Sequence, residues 1–318
     1  MSSTIKPSKI DILGAASRIR PHIHRTPVLT SENLSEMFGC TLFFKCENMQ
    51  KAGAFKSRGA CNAVFSLDED SAKRGVATHS SGNHAAALAR AAALRGIEAH
   101  IVMPSNSSKV KIAAVQNYGG RITYCEPNLA SRESTVARVI AETGAIEIHP
   151  YNDLRIIAGQ ATAALEMIED YPDLDTILSP VGGGGLLSGT ALSAYYFSEN
   201  TKVIATEPEQ ASDAYQSFHQ KKFVPSVNPN TIADGLRTSL GSLTFPIILE
   251  HVSDIVTVTE SEIAEAMHLV WERLKIIIEP SSAVPVAALL ANKVDVRGKK
   301  VGIILSGGNV DLDDLPWN

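Results

Sequence analysis

Long apolar runs are absent from this 318-residue chain. No stretch approaches the roughly 18 consecutive apolar residues that a membrane helix needs. The opening residues, MSSTIKPSKI, lack the apolar core of a secretory signal, so an untargeted cytoplasmic protein with no membrane partner is expected. Cysteine is scarce: Cys40, Cys46, Cys61 and Cys125 form no CxxC pair and no compact His/Cys cluster. That spacing argues against a zinc knuckle or a disulfide scaffold and leaves reduced thiols as the plain reading. Charge of one sign is not concentrated either. With a net charge of −5 and 20% charged residues, the chain has no basic run of the kind that tracks a phosphate backbone, so nucleic acid is not an expected partner. Repeats, low-complexity tracts and long charge runs are missing too.

What is present is alternation. From Ser71 onward, short apolar runs alternate with longer helical ones, the mark of parallel α/β structure. Val76 to His79, Ala99 to Met103, Ile122 to Cys125 and Ile146 to Ile148 read as strands. Between them, Asn83 to Leu94, Ser108 to Tyr118 and Ser131 to Thr143 read as helices, with Gly96, Gly119 and Gly144 as stop signals. A second series follows, with strands at Thr176 to Leu178, Val203 to Thr206, Ile255 to Val258 and Val301 to Leu305. Its helices are Leu186 to Phe197, Glu260 to Leu274 and Ala283 to Leu290. The strand Leu42 to Cys46 is expected to join this later sheet. The expectation is a two-lobed α/β fold of parallel-type sheets with flanking helices: a discontinuous large domain of residues 1–72 and 152–318, a small domain of residues 73–151, and a cleft between them. Phe223 to Pro229 is the most loop-like internal segment.

Lys56 lies in KCENMQKAGAFKSRG, flanked by small residues and just before the helix-like run Arg58 to Leu67. A helix dipole and partial removal from water both favour the neutral amine, which can condense with an aldehyde. Lys56 is therefore a candidate carrier of pyridoxal phosphate. Gly182, Gly183, Gly184 and Gly185 stand between a strand and a helix, where backbone N–H groups can converge on an anion. No Lys-Ser or Lys-Thr follows, so this is not a Walker loop, and a flexible glycine turn is the alternative. Ser306 follows the apolar strand VGIIL, where a hydroxyl could meet a pyridine nitrogen, or could be an ordinary loop serine.

Six segments in order, FKCENMQKAGAFKSRGA, THSSGNHAAALA, VGGGGLLSG, ATEPEQASDAYQSF, TIADG and LSGGNVDL, resemble the serine racemase and serine/threonine dehydratase family of pyridoxal-phosphate enzymes. That family has the tryptophan-synthase-β fold, PLP fold type II, and the likeness runs from His24 to the end. The resemblance implies that Lys56 forms the Schiff base, Gly182 to Gly185 hold the phosphate, Asn83 meets the ring oxygen and Ser306 partners the ring nitrogen. It implies that Ser80, Ser81, Asn83 and His84 grip the substrate carboxylate, with Arg132 nearby, and that Ser81 faces Lys56 across the cofactor. It also implies a divalent cation (Mg²⁺, Mn²⁺ or Ca²⁺) held by Glu207, the Ala211 carbonyl and Asp213. A homodimer is the implied assembly.

The implied chemistry has two outcomes. Lys56 takes the Cα proton of a β-hydroxy amino acid. Loss of the hydroxyl then gives an aminoacrylate that hydrolyses to a 2-oxo acid and ammonia, whereas a proton returned by Ser81 gives the other enantiomer. The expectation is a dehydratase (ammonia-lyase) acting on L-serine, L-threonine or 3-hydroxyaspartate, with serine racemase as the alternative and a non-catalytic phospholigand-binding protein as a remote one. HPYNDLRIIAGQ departs at Tyr151 from animal racemases, which look like HPNQ there. A second substrate carboxylate would need another cation, for which Arg237 and Arg155 are candidates. The chain ends at Asn318, so no C-terminal regulatory domain is expected.

Overall fold

A computed structural model of the chain describes residues 4–80, 82–107 and 109–317. Its strands are β1 (Val28–Thr30), β2 (Thr41–Cys46), β3 (Val76–His79), β4 (Ala99–Pro104) and β5 (Arg121–Cys125), then β6 (Ile146–Glu147), β7 (Thr176–Pro180), β8 (Lys202–Pro208), β9 (Asp254–Val258) and β10 (Lys300–Leu305). Its helices are α1 (Lys9–Ile19), α2 (Glu32–Phe38), α3 (Lys56–Phe65), α4 (Glu69–Lys73), α5 (Asn83–Arg95), α6 (Lys109–Asn117) and α7 (Leu129–Thr143). They continue as α8 (Leu154–Asp170), α9 (Gly185–Phe197), α10 (Asp213–Gln220), α11 (Thr244–His251), α12 (Glu260–Leu274) and α13 (Pro280–Leu290).

Among the described residues these strands form two sheets, ordered β1-β2-β10-β7-β8-β9 and β5-β4-β3-β6. Only the β1–β2 pairing is antiparallel. β2 lies beside β10, with Leu42 opposite Val301 and Phe44 opposite Ile303, so the larger sheet draws on chain from both sides of the smaller one. Alternation distributes the core over both faces. Leu42, Phe44, Val301, Ile303 and Leu305 pack against Ile263 and Met267 of α12 and Val284 and Val286 of α13. Phe43 and Ile304 face the other way, toward Met167 of α8, Leu187 of α9 and Ile248 of α11.

The helices over that second face approach closely because glycines leave room. A Cβ on Gly159 of α8 would stand 2.5 Å from the Gly59 Cα of α3, and one on Gly189 of α9 would stand 2.6 Å from the Ala161 nitrogen of α8. The alanine-rich α5 buries Ala85, Ala87, Ala89, Ala91 and Ala92 in the core that also holds Ala60 and Val64 of α3. Parallel strands aim their carboxyl ends the same way, so the segments after β7 and β10 bring Gly182 and Ser306 to one rim of the larger sheet, and the end of β3 brings Ser80 to a rim of the smaller one.

The structure adds elements the sequence reading does not assign: α1, α2, α4, α8, α10, α11 and β1. The 17-residue α8 is the chief omission, since nothing is assigned between Ile148 and Thr176. It is capped by Asp153, whose side chain accepts the Arg155 N–H, and is buried along most of its length. α3 begins at Lys56 itself rather than at Arg58, and α13 begins at Pro280 rather than at Ala283. Phe223 to Pro229 forms no helix or strand. Among the described residues no helix is long and apolar enough to cross a membrane, and the four cysteines are free and buried.

Candidate active site

Lys56 is the first residue of α3 and is partly buried. Its Nζ donates to the Pro150 carbonyl at 2.8 Å and stands 5.1 Å from the centre of the Phe55 ring. Burial lowers the amine from 10.5 to about 8, against the opposing pull of Glu279. The rest of α3 is held by a buried ionic cluster. Arg58 Nε donates to Glu47 at 2.7 Å, its Nη2 donates to Glu166 at 2.8 Å, and Lys45 donates to Glu166 at 2.6 Å. Thus the lysine stays adjustable while its helix is fixed.

The glycine loop turns into α9 with Gly184 as N-cap at φ 85°, a conformation that favours glycine, and no side chain caps the helix. The first N–H groups of α9 are therefore available to an anion. A Cβ on Gly183 would fall 2.3 Å from the Tyr151 ring, and one on Gly182 would fall 2.9 Å from the Leu236 Cα. Thr244 closes the loop from behind by donating its hydroxyl to the Gly183 carbonyl at 2.9 Å. Ser306 is buried, its hydroxyl 3.1 Å from that of Ser282, and its carbonyl accepts the Phe55 N–H. An anion cradle, a low-pKa amine and a buried hydroxyl fit a phosphorylated pyridine aldehyde.

On the opposite rim, Ser80 is half-buried and its hydroxyl accepts the Gly82 N–H at 3.3 Å. α5 starts at Asn83 without a side-chain cap, which leaves its first N–H groups for a carboxylate. His84 is buried and turned away, with Nε2 3.2 Å from the Ile148 carbonyl. Burial and the nearby Lys56 hold its pKa well below 6.5, so the neutral imidazole brings no charge to a substrate. Ser81 lies outside the described residues. Arg132 sits in α7, its buried Nε without a hydrogen-bond partner. Neither candidate for a second carboxylate is idle: Arg155 pairs with Asp153 at 2.5 Å, and Arg237 Nε donates to the Thr231 carbonyl at 2.9 Å.

Two groups escape the sequence reading. Glu279, at the N-cap of α13, is buried and accepts Asn83 Nδ2 at 2.9 and 3.1 Å, while Asn309 donates to Asn83 Oδ1 at 2.9 Å. Both ends of the Asn83 amide are thereby fixed. Burial raises the Glu279 carboxyl to about 7. Gly307 makes room for it, since a Cβ there would lie 2.6 Å from Glu279 Oε1. The second is the segment His149 to Asn152, which touches Lys56 through Pro150 and the glycine loop through Tyr151. The run EPSS reads as an ordinary helix start, and a backbone carbonyl carries no signal at all.

Glu207 ends β8 with its carboxylate oxygens accepting the Ala214 and Tyr215 N–H groups at 2.9 and 2.7 Å. Asp213 opens α10, and among the described residues neither of its buried carboxylate oxygens makes a hydrogen bond of normal geometry, although Ser226 and Leu240 are near enough to favour its charge. Burial raises Glu207 well above 4.5 and Asp213 to about 7. Ala211 is buried beside them at the end of a short 3-10 turn. Two crowded, buried carboxylates fit a hard cation. Among the described residues no three His, Cys, Asp or Glu side chains converge on one point, so a carbonyl and water would complete such a shell.

Comparison with known proteins agrees with this chemistry. The family model described as pyridoxal-phosphate dependent enzyme matches residues 19–307. A β-hydroxyaspartate dehydratase from Paracoccus denitrificans (strain Pd 1222) is 54% identical over 312 residues, covering 98% of this chain and 99% of that protein. A serine racemase from Arabidopsis thaliana is 51% identical over 314 residues, covering 97% and 95%. Among solved structures, maize serine racemase superposes with a TM-score of 0.95 at 46% identity, covering 97% of this chain and 95% of that one.

Proposed function

The chain belongs to the family of pyridoxal-phosphate dependent enzymes, and from that premise we infer that it is a dehydratase of β-hydroxy amino acids, releasing a 2-oxo acid and ammonia. The observation that carries the reading is Lys56, an amine lowered to about 8 between a glycine cradle and an uncapped helix start. Pyridoxal phosphate, when bound, supplies the electron-withdrawing system that acidifies the Cα proton of an amino acid.

The chain's own groups supply the rest. The N-terminus of α9, with Gly182 to Gly185, would hold the phosphate, and the Ser306 hydroxyl would partner the pyridine nitrogen, which a hydroxyl, unlike a carboxylate, would leave unprotonated. Asn83, whose amide is held by Glu279 and Asn309, would be the residue beside the ring oxygen. The start of α5 with Ser80 and Ser81 binds the substrate carboxylate, and Arg132 adds a positive charge to that rim. Lys56 takes the Cα proton, a task suited to an amine that is partly neutral near pH 8. The β-hydroxyl then leaves as water, the proton taken from Cα making good the one it needs, and a second water replaces the amine to give the oxo acid and ammonia.

The 54% identity to a β-hydroxyaspartate dehydratase favours 3-hydroxyaspartate among the substrates, with L-serine and L-threonine beside it. The 51% identity to a serine racemase supports a second outcome, in which Ser81 returns the proton. One assay separates them: oxo-acid release and enantiomer exchange measured with L-serine, D-serine, L-threonine and the 3-hydroxyaspartates. Oxo acid from at least one is expected, and exchange without oxo acid sinks the dehydratase reading.

The proposal includes a divalent cation at Glu207, Ala211 and Asp213, supported by the burial of the Asp213 oxygens. Chelation by EDTA should lower the unfolding temperature of wild type but not of Asp213→Ala. It also includes a division into residues 1–72 with 152–318 and residues 73–151, a homodimer and a cytoplasmic location; the buried free thiols are consistent with the last.

A further inference from the structure

At the end of β6, His149 has no task in the chemistry above. Its Nδ1 accepts the backbone N–H groups of Tyr151 at 3.3 Å and Asn152 at 2.9 Å. A ring nitrogen that accepts carries no proton, so the hydrogen of the neutral ring sits on Nε2. Among the described residues Nε2 has no hydrogen-bond partner, and the ring is only half-buried. His79 stands edge-on to it at 5.5 Å and Tyr151 at 4.6 Å, so three rings form a wall from the Ser80 loop to the glycine loop. Lys56 bonds the very next residue, Pro150. Burial, His79 and Lys56 together lower the His149 pKa to about 4, so the ring remains a neutral donor through the working pH range.

The geometry points to His149 as a specificity-determining residue whose Nε2–H donates a hydrogen bond to the β-oxygen of the substrate. This rests on the dehydratase reading. Lys56 works at Cα and bonds Pro150, so residues 149–151 flank the reacting amine, and a substrate's β-oxygen is two bonds from Cα. A neutral imidazole N–H at that wall can only donate, so it favours a side chain that presents an acceptor. The bond strengthens as the Cβ–O bond lengthens and charge gathers on oxygen, and it adds most in the transition state. No proton leaves His149.

Two variants separate this role from the backbone-holding role of Nδ1. His149→Asn places an acceptor near the Nδ1 position and removes the Nε2–H. His149→Gln places an amide N–H near the Nε2 position. The readout is the ratio of kcat/KM for L-serine to that for β-chloro-L-alanine, whose chloride is a weak acceptor. Both amino acids yield the same oxo acid. Loss of one transition-state hydrogen bond should lower the ratio about 10- to 100-fold in H149N, which is about 1.4–2.7 kcal/mol, with recovery in H149Q. A general packing defect would reduce both substrates together. An unmoved ratio in H149N, or a fallen ratio that H149Q does not raise, overturns the assignment. Where L-serine is not turned over, 3-hydroxyaspartate takes its place in the ratio; wild-type enzyme that releases oxo acid from no amino acid of the assay panel overturns the dehydratase reading and this assignment with it, whereas wild-type turnover with an unmoved ratio overturns the assignment alone.

Discussion

Lys56 shows how one residue can be half legible. A lysine among small residues at a helix start announces a depressed pKa, and the structure lowers it to about 8. What lowers it is burial, with Glu279 acting in the opposite sense, and neither the degree of burial nor that carboxylate can be read from the local sequence. The consequence is measurable. Condensation with an aldehyde needs the neutral amine, and a group with pKa lowered to about 8 is neutral above that pH and protonated below it. The rate at which apoprotein regains visible absorbance on adding pyridoxal phosphate should rise with pH and reach half its maximum near pH 8. An ordinary lysine would put that midpoint near 10.5. Lys56→Ala should bind the cofactor reversibly, with no adduct surviving borohydride and denaturation. A reconstitution rate flat from pH 7 to 9 would refute the assigned pKa. Gly182 to Gly185 and Ser306 were legible for a different reason: each closely follows an apolar strand. Glu279 and His149 were not, because their partners lie 196 residues away in one case and are backbone N–H groups in the other.

At the scale of elements, strands were recovered closely because a buried parallel sheet writes continuous apolar runs, as VGIIL in β10. α8 was missed because Gly159 and the β-branched Ile156, Ile157 and Thr162 lower its helix propensity, which tertiary packing overrides. Its importance is geometric: it lies between the lysine helix and the phosphate helix, touching α3 at Gly59/Gly159 and α9 at Ala161/Gly189. Gly159→Ala puts a Cβ 2.5 Å from a backbone atom, which cannot rotate away. Overpacking of this kind costs about 1–3 kcal/mol, more than the better helix propensity of alanine returns. The variant should unfold at lower denaturant and bind pyridoxal phosphate more weakly, because α3 is displaced relative to α9. An unchanged midpoint with unchanged affinity would show that the crossing has slack. The ionic cluster beneath α3 predicts a larger effect. Glu47→Ala strands the fully buried Arg58 guanidinium with one carboxylate shared with Lys45, and breaking a buried pair costs about 3–5 kcal/mol. Urea titration should show it, and Arg58→Lys should not rescue wild-type stability because the two-carboxylate fork is lost.

For the whole molecule, the question is what holds one sheet's helices against the other's loops. Among the described residues the bridges across that gap include Lys111 of α6 to Asp234, and Asn83 of α5 to Glu279 and Asn309. The first is partly exposed, so its net worth is at most about 1 kcal/mol, and Asp234→Asn should change stability by no more than that. The second is buried and carries two opposed terms. The Glu279 carboxylate accepts both contacts from Asn83 Nδ2. A glutamine there offers one oxygen and one N–H, and Asn83 cannot flip to suit it without breaking its bond from Asn309. Measured against the protonated carboxyl present below about pH 7, whose hydroxyl can turn its hydrogen away from Asn83, that mismatch destabilises Glu279→Gln by about 1–3 kcal/mol. Against it stands the raised pKa. A carboxyl at about 7 when folded and near 4.5 when unfolded binds its proton more tightly in the native state, so its contribution to stability falls as pH rises from about 4.5 to about 7. Over that window wild type loses about 3 kcal/mol that the uncharged glutamine does not. Glu279→Gln should therefore be clearly less stable than wild type at pH 5, and the deficit should shrink or vanish by pH 8. The other titrating groups are common to both proteins and cancel in the difference, except Lys56, whose attraction to the ionised Glu279 is lost in the variant and offsets part of the shrinkage above about pH 7. A deficit independent of pH, measured by denaturant unfolding at both ends of the window, would mean that Glu279 is ionised throughout and that its hydrogen bonds alone hold the two sheets together.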